Sequence, residues 1–242
     1  MALQERLLAL IGSLEPNPCV VAEEEVNTLT GREPRCPRTW VLDPLDGTSQ
    51  FLDPAGTEYC STVAVLHGNM PVACLIYCPQ LSRDGSEVVI AVNGPGQPPI
   101  VNNSPAEPMP RSGAATLDSV SATRARRDPP RSFEPKLAEA GTMTKLRATS
   151  LSLDMARTCI DLSGPTGLHS FRWFHRANQR AWDSIAGIVL AHAAGLAAVD
   201  LRGASLAPLP DGFLEDPEPV FPHTVLASGD EIRGVLELLR GA

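Results

Sequence analysis

Three acidic residues follow two short apolar segments near the start of the chain. Residues 19–22 are expected to form a buried strand that runs into Glu23, and residues 39–42 a second strand that runs into Asp43 and Asp46. Side chains at strand ends project into the crevice beside a sheet, where ligands usually bind. Carboxylates gathered this closely repel one another unless a cation neutralises them, and hard oxygen ligands suit Mg²⁺. The sequence therefore predicts a magnesium site at these strand ends.

A glycine and a threonine directly after the second acidic segment add a candidate anion site. Gly47 gives the backbone room to approach a ligand, and a helix that begins near Thr48 would point its first amides outward. Metal carboxylates beside such a helix start are the parts needed for phosphoryl transfer to water. Each piece alone has an ordinary structural interpretation, because residues 43–48 could be a hairpin corner and residues 23–25 a solvated run. The functional prediction rests on their combination.

Alternating strand and helix patterns supply the elements that must hold these residues. Helices are predicted at 2–14, 134–140, 150–160, 183–194 and 231–239, and strands at 61–66, 72–77, 87–92, 196–199 and 224–227. Asp183 is expected to cap the helix that begins there. Residues 93–115 predict a long loop with a short strand at 100–101, and residues 164–170 a second loop. This alternation is typical of a layered α/β or α+β fold.

Composition and charge exclude several classes of protein. The 242 residues carry 20 Lys and Arg against 28 Asp and Glu, which disfavours a nucleic-acid polymer as partner because phosphate backbones need a positive surface. No apolar run approaches the roughly 20 residues that a membrane span needs, so no membrane partner is expected. Six cysteines without zinc-type spacing are expected to be free, mostly buried thiols in a reducing cytoplasm.

Two longer motifs resemble the signatures of the inositol monophosphatase superfamily. Residues 40–48 read Trp-Val-Leu-Asp-Pro-Leu-Asp-Gly-Thr, which is similar to the family's W-[IV]-[IVL]-D-P-[IL]-D-G-T. Residues 182–187 resemble its W-D-x-[AS]-A-G, with Ile185 where a small residue is usual. Residues 22–24 resemble its G-E-E element, and residues 200–203 a following D-x-x-G. The resemblance covers nearly the whole chain, and family membership explains the matched motifs far better than chance agreement does.

The resemblance implies two or three Mg²⁺ ions at the acidic residues. Glu23, Asp43 and the carbonyl group of Leu45 would hold one ion, and Asp43, Asp46 and Asp183 would hold a second. The implied activity is hydrolysis of a small phosphorylated metabolite by metal-activated water, with no covalent enzyme intermediate. Inhibition by lithium is implied as well.

The same resemblance assigns the phosphate site and the fold. Asp46 and the amides of Gly47 and Thr48 would bind the phosphate. Glu23 and Thr48 are the implied catalytic residues, with the Thr48 hydroxyl helping to orient the nucleophilic water. The implied fold is a layered αβαβα sandwich, one compact unit with an N-terminal half at 1–145 and a C-terminal half at 146–242. A homodimer is among the implied assemblies.

One family element is missing from the sequence. The family carries V-T-x-A-D before the helix predicted at 2–14, and, counted back from Glu23, its Asp falls immediately before Met1. We expect a start assigned too late or a trimmed chain, so that the native protein has the missing first helix and this Asp. The alternative is a genuine short form with an impaired site, a family member that acts as an interaction protein.

Residues around the motifs indicate which branch of the family, and so which substrate, this chain resembles. Residues 49–51 read Ser-Gln-Phe, which matches neither the T-N-F of inositol phosphatases nor the K-x-F of nucleotide phosphatases. Residues 77–81 and Thr123-Arg124 resemble the nucleotide branch, and Arg176 lies in the region where inositol phosphatases carry a sugar-binding Glu. We therefore expect Arg124 and Arg176 to bind substrate and favour 3′-phosphoadenosine 5′-phosphate (PAP). Inositol monophosphate is the alternative substrate, and a solvated loop is the alternative role of the arginines near 124.

Overall fold

The computed structural model describes residues 2–24, 36–107, 109, 119–124, 128–139 and 142–241. Its helices are α1 (Ala2–Leu14), α2 (Thr48–Phe51), α3 (Glu134–Glu139), α4 (Leu151–Cys159), α5 (Ser163–Thr166), α6 (Ala181–Ala193) and α7 (Ile232–Arg240), with a 3₁₀ turn at Phe213–Glu215. Its strands are β1 (Cys19–Ala22), β2 (Arg38–Asp46), β3 (Cys60–His67), β4 (Met70–Cys78), β5 (Val88–Val92), β6 (Ile100–Val101), β7 (Ser104–Pro105), β8 (Ser119–Thr123), β9 (Met143–Lys145), β10 (Phe174–Arg180), β11 (Ala197–Val199) and β12 (Val220–Ala227).

The strands form two sheets that follow one another along the chain. In the first sheet β1 to β7 lie side by side in chain order, with β1 parallel to β2 and each later pair antiparallel. The second sheet has the order β11-β12-β10-β8-β9, in which β8 is parallel to both β10 and β9. Strands β2 to β7 form an antiparallel meander in chain order, whereas the second sheet is assembled from strands far apart in sequence.

Three layers of helices and the two sheets alternate, which gives five layers in all. Helix α1 packs Leu8 and Ile11 against Val20 and Leu42 on the outer side of the first sheet. Helices α4 and α6 lie between the two sheets, in one apolar core that takes side chains from both. Helices α3 and α7 pack on the far side of the second sheet, around Val225. The layers read α, β, α, β, α, which confirms the predicted sandwich.

Three strands of the second sheet lie where the sequence pattern predicts none. These strands are β8, β9 and β10. Strand β10 reads Phe-His-Arg-Ala-Asn-Gln-Arg and lacks the apolar alternation that marks a half-buried strand. Neighbours on both sides, β12 and β8, hold its backbone instead. Likewise, the loop predicted at 164–170 contains the short helix α5, at Ser163–Thr166.

The expectation that all six cysteines are free thiols is wrong for two of them. Cys19 and Cys36 form a disulfide with their Cα atoms 6.2 Å apart. Pairing of β1 with β2 puts Cys19 in register with Thr39, three residues beyond Cys36, and so brings the two cysteines together. The sequence spacing alone carries no signal for this parallel pairing. Cys60, Cys74, Cys78 and Cys159 are buried thiols outside any disulfide, as predicted.

Helices long and apolar enough to cross a bilayer do not occur among the described residues.

Gly187 tests the contact between the two central helices. A Cβ atom at Gly187 of α6 would lie 2.7 Å from the Cβ atom of Met155 on α4. We expect Gly187→Ala to lower the free energy of unfolding by about 1–3 kcal/mol through overpacking, although alanine has the better helix propensity by about 1 kcal/mol. Urea denaturation measures the change.

Gly234 on α7 is the matched control, because nothing lies within 4 Å of a Cβ atom built there. Gly234→Ala should raise the free energy of unfolding by up to about 1 kcal/mol. Equal, stabilising effects of both substitutions would contradict the close helix contact.

Candidate metal centre

Three aspartates converge at the end of β2. Carboxylate oxygens of Asp43, Asp46 and Asp183 all lie within 4.8 Å of one another, although Asp183 is far away in sequence. Asp43 and Asp46 are three residues apart and would face opposite sides of a regular strand. A register shift between them, at Pro44 and Leu45, lets both side chains reach the same place. We call these three residues the aspartate trio.

Asp46 is fixed by the beginning of α4. Its carboxylate accepts hydrogen bonds from the Ser150 hydroxyl at 2.8 Å, the Ser152 amide at 2.7 Å and the Leu151 amide at 3.2 Å. Ser150 is also the N-cap of α4, since its hydroxyl accepts from the Leu153 amide. Asp46 therefore lies at the positive end of a buried helix, which stabilises its charge.

Asp183 lies in the first turn of α6 rather than capping it. The helix begins at Ala181, directly after β10, so that Arg180 is the N-cap residue. The prediction of Asp183 as the cap is wrong because β10 runs into the helix without a loop. A hydrogen bond links the Asp183 side chain to the Arg180 backbone, as in a capping box. The Asp183 carbonyl group accepts from the Ser152 hydroxyl, which joins the beginnings of α4 and α6.

Burial and mutual repulsion disfavour the ionised forms of the three aspartates. Burial, followed by the charges of Asp46, Asp183 and Glu23, raises the pKa of Asp43 to about 11. Burial and then Asp46 raise the pKa of Asp183 to about 7. Burial raises the pKa of Asp46 too, against the bonds from Ser152 and Ser150. A divalent cation would offset this repulsion, so the donor set fits a hard metal ion.

Glu23 lies beside the trio at the end of β1. Its backbone amide donates to the Leu42 carbonyl group at 3.2 Å, and its exposed side chain is hydrogen-bonded to that of Asp43. The Leu45 carbonyl group accepts from the Thr48 hydroxyl at 3.2 Å. The structure thus gathers the predicted ligands around one end of β2, with Glu23 at the solvent side.

Gly47 forms the turn between β2 and α2, and α2 begins at Thr48 as predicted. The backbone of Gly47 is left-handed with φ at 91°. A Cβ atom there would lie 2.9 Å from the Glu58 carbonyl oxygen and 3.0 Å from that of Thr149. Neither backbone atom can yield, so the position requires glycine.

A partly buried charge network lies behind this turn, and sequence reasoning missed it. Lys145 donates to Glu58 at 3.1 Å, Thr149 at 2.7 Å and Asp154 at 2.6 Å. Arg157 donates to the same oxygen of Glu58 at 3.1 Å. Burial alone would raise the pKa of Glu58, but Lys145 and Arg157 outweigh it and lower that pKa. The available signal was that Lys145 is one of only two lysines in the chain.

The two predicted substrate arginines differ in their surroundings. Arg124 donates to Glu134 at 2.8 Å and to the Asp128 carbonyl group at 2.8 Å. Arg176 is half-buried on β10, and burial lowers its pKa while the charges of Asp128 and Asp183 raise it. Arg176 thus lies within electrostatic reach of the trio. The arginines next to Arg124, at 126 and 127, lie outside the described residues.

Comparisons with known proteins agree with this architecture. A sequence profile of the inositol monophosphatase family matches residues 2–231. The chain is 29% identical over 188 residues to the probable inositol 1-monophosphatase ImpA of Mycobacterium tuberculosis, covering 74% of this chain and 63% of that protein. It is 26% identical over 190 residues to the inositol monophosphatase of Mesembryanthemum crystallinum, covering 78% and 66%. The chain therefore spans less than two thirds of the length of these relatives.

Solved structures share the fold at low sequence identity. A staphylococcal inositol monophosphatase I with its products superposes with a TM-score of 0.72 at 18% identity, over 98% of this chain and 79% of that one. A dual inositol monophosphatase/NADP phosphatase with Mg²⁺ and phosphate gives a TM-score of 0.73 at 17% identity, over 100% and 80%.

Loss of the partly buried network is expected to destabilise the fold. Replacement of Lys145 by methionine would leave Asp154, a fully buried residue, without its closest cation. We expect Lys145→Met to lower the free energy of unfolding by about 3–5 kcal/mol. Lys136 is the other lysine and is exposed on α3, so Lys136→Met should change that free energy by less than about 0.5 kcal/mol. Similar losses in both variants would contradict the structural role of the network.

The raised pKa values set the pH dependence of stability. Without divalent cations, Asp183 with a pKa of about 7 binds more protons in the folded chain than in the unfolded chain, where its pKa is 3.8. The free energy of unfolding should therefore fall as pH rises from about 4 to 7. Asp43, with its pKa of about 11, extends the fall to higher pH.

Added Mg²⁺ should cancel part of this fall, so its effect on Tm should grow between pH 5 and pH 8. Asp183→Asn in a chelating buffer is the control and should show a flatter profile. A Mg²⁺-induced shift in Tm that does not depend on pH would count against the trio as the cation site.

Proposed function

Because the chain belongs to the inositol monophosphatase family, we propose that it is a phosphomonoesterase that uses Mg²⁺ and water to hydrolyse a small phosphorylated metabolite. The observation that carries this proposal is the trio itself, two buried carboxylates and one partly buried carboxylate within 4.8 Å whose charge needs a cation. A cluster of like charges of this kind is not expected in a purely structural protein, because the burial of like charges lowers stability.

The ligand sets follow the predicted assignment. Glu23, Asp43 and the Leu45 carbonyl group are proposed to hold one Mg²⁺, and the trio a second, with a third ion left as a proposal. Bound metal supplies the positive charge that lowers the pKa of a water molecule and offsets charge on the leaving oxygen. The hydrogen bond between Glu23 and Asp43 supports their sharing one ion.

Residues of the β2–α2 turn are proposed to hold the phosphate and the water. The Gly47 and Thr48 amides, together with Asp46 through its ion, would bind the phosphate. The Thr48 hydroxyl, which donates to the Leu45 carbonyl group at 3.2 Å, would orient the attacking water together with Glu23. The left-handed backbone of Gly47 supports the proposed phosphate site, because the carbonyl oxygens of Glu58 and Thr149 pack closely against this turn and leave room only for glycine.

PAP-type nucleotides remain the favoured substrates within this proposal. Arg176 beside the trio supports an anionic substrate over a neutral polyol, because a guanidinium group binds phosphate. Arg124 is the weaker substrate ligand of the two, since Glu134 already engages it.

Inositol monophosphate is the second candidate, favoured by the names of the relatives. One solved neighbour, at 17% identity, is described as bound with D-inositol-1-phosphate, and another, at 18%, as complexed with NADP and Ca²⁺. A homodimer, a cytoplasmic location, lithium inhibition and the division at residue 145 stay predictions.

Two substitutions test the metal chemistry. Asp43→Asn and Asp183→Asn should each reduce Mg²⁺-dependent phosphate release at least about 100-fold, because each removes a ligand charge from the site. Each should retain a cooperative thermal transition in chelating buffer, since asparagine resembles the protonated aspartate. Asp84→Asn in an exposed turn is the control and should keep wild-type activity.

Retention of full activity by either trio variant would refute the metal assignment. Failure of the wild-type chain to bind Mg²⁺ at millimolar concentration would instead favour a non-catalytic interaction protein.

A substrate panel decides between the candidates. Phosphate release from PAP, NADP, inositol 1-phosphate and histidinol phosphate is measured in Mg²⁺ buffer. We expect the highest kcat/KM for a substrate that carries a second acidic group. A clear preference for inositol 1-phosphate would overturn the nucleotide assignment but leave the phosphatase assignment intact.

A further inference from the structure

Three polar side chains form a row across the second sheet. Arg176 of β10 lies opposite Thr224 of β12 and opposite Thr123 of β8. Residues directly opposite one another on neighbouring strands project from the same face, with side chains about 5 Å apart. We call Thr123, Arg176 and Thr224 the Thr-Arg-Thr row.

The row faces the central layer of the molecule. Phe174 and Leu226 lie two residues from Arg176 and Thr224, so they project from the same face of the sheet. Both belong to the core that surrounds α4 and α6. The row is therefore on the side of the sheet where α6 brings Asp183, and not on the side of α3 and α7.

All three members of the row bury polar atoms that lack partners. The Oγ1 atoms of Thr123 and Thr224 and the Nε and Nη1 atoms of Arg176 are buried and make no hydrogen bond within the described residues. Both threonines are fully buried, at 0% exposure. Leaving such a group unpaired is destabilising, and more so when it is charged. Three orphaned groups in one row indicate a place built for a ligand.

The chemistry of the row selects an oxyanion. A guanidinium group has donors and no acceptor, and each hydroxyl can donate one hydrogen bond. Their common complement is a group rich in acceptors and negatively charged, which is a phosphate or a carboxylate. Arg131 adds positive charge nearby, since its pKa is lowered by burial and by the charge of Arg176.

The row borders the aspartate trio. Burial lowers the pKa of Arg176, and Asp183 is close enough for its charge to oppose that lowering. Only one turn of helix separates the end of β10 from Asp183. Asp128 and Asp183 are the acidic groups that act on Arg176. A cation bound at Asp183 would take up that negative charge and leave Arg176 free to attract another anion.

We propose that the Thr-Arg-Thr row binds a second acidic group of the substrate, a phosphate or a carboxylate, while the reacting phosphate lies beside the Gly47 and Thr48 amides and the proposed metal ions. The inference rests on the proposed phosphatase function and extends it to two threonines that the sequence analysis did not assign to the site. The row acts on specificity: it selects substrates with two acidic groups over those with one.

Matched pairs of compounds test the row. Adenosine 3′-phosphate and PAP differ by one phosphate, and glycerol 3-phosphate and 3-phosphoglycerate differ by a carboxylate in place of a hydroxymethyl group. Binding in Ca²⁺ by calorimetry and kcat/KM in Mg²⁺ are measured for all four compounds. We expect the wild-type chain to prefer the doubly acidic member of at least one pair by about tenfold or more, and the favoured pair identifies the group.

Substitutions in the row should remove that preference. Arg176→Gln is expected to lower the ratio of the two affinities at least tenfold, and Thr123→Val and Thr224→Val to lower it several-fold. Arg172→Gln, an exposed arginine before β10, is the control and should leave the ratio unchanged. A purely structural role would lower both affinities together and would not move the ratio.

The outcomes separate the two proposals. Absence of a preference in both pairs, or a preference that survives Arg176→Gln, overturns the row even if phosphate is released. Binding that depends on Arg176 without any phosphate release supports the row and overturns the proposed reaction. A row filled only by water predicts wild-type ratios in all the variants, and that result also overturns the proposal.

Discussion

Concentrated negative charge is the constraint on which the rest of this structure depends. Asp43, Asp46 and Asp183 lie within 4.8 Å of one another in a largely buried place. The folded state tolerates such an arrangement only where amides and hydroxyls donate hydrogen bonds to the carboxylates, because a buried, unsatisfied charge lowers stability. The beginning of α4 supplies these donors to Asp46, and the beginning of α6 carries Asp183. The layer of helices between the two sheets is thus the support of the site as well as the core of the fold.

Two members of the trio are predictable because they lie close to each other in sequence. Residues 40–48 carry two of the three aspartates and the glycine turn, and Glu23 ends a strand that the apolar pattern identifies. The position of Asp183 beside them follows from a second motif and not from any local rule. Its helix begins two residues earlier than expected, since a pattern of apolar residues locates a helix better than it locates its first turn.

Three strands of the second sheet, β8, β9 and β10, were the part that the sequence pattern could not predict. Apart from Phe174 and Ala177, strand β10 consists of polar residues, and its identity as a strand comes from β8 and β12, which lie about fifty residues to either side. The Thr-Arg-Thr row exists only in that pairing, so no inspection of Arg176 alone would have joined it to Thr224. The network of Lys145, Glu58 and Arg157 is hidden for the same reason. Long-range register, which local propensity does not encode, decides both.

The unequal anchoring of the metal ligands has a kinetic consequence. Asp43 and Asp46 lie on β2, which has neighbours on both sides, and Asp183 lies on a helix in the core. Glu23 ends β1, an edge strand that pairs with β2 alone among the described strands. Edge elements open at lower free energy than the global unfolding of a domain. If Glu23 shares an ion with Asp43 as proposed, that ion would exchange with solvent while the trio stays closed, and its residence time would be shorter than that of an ion held by the trio alone.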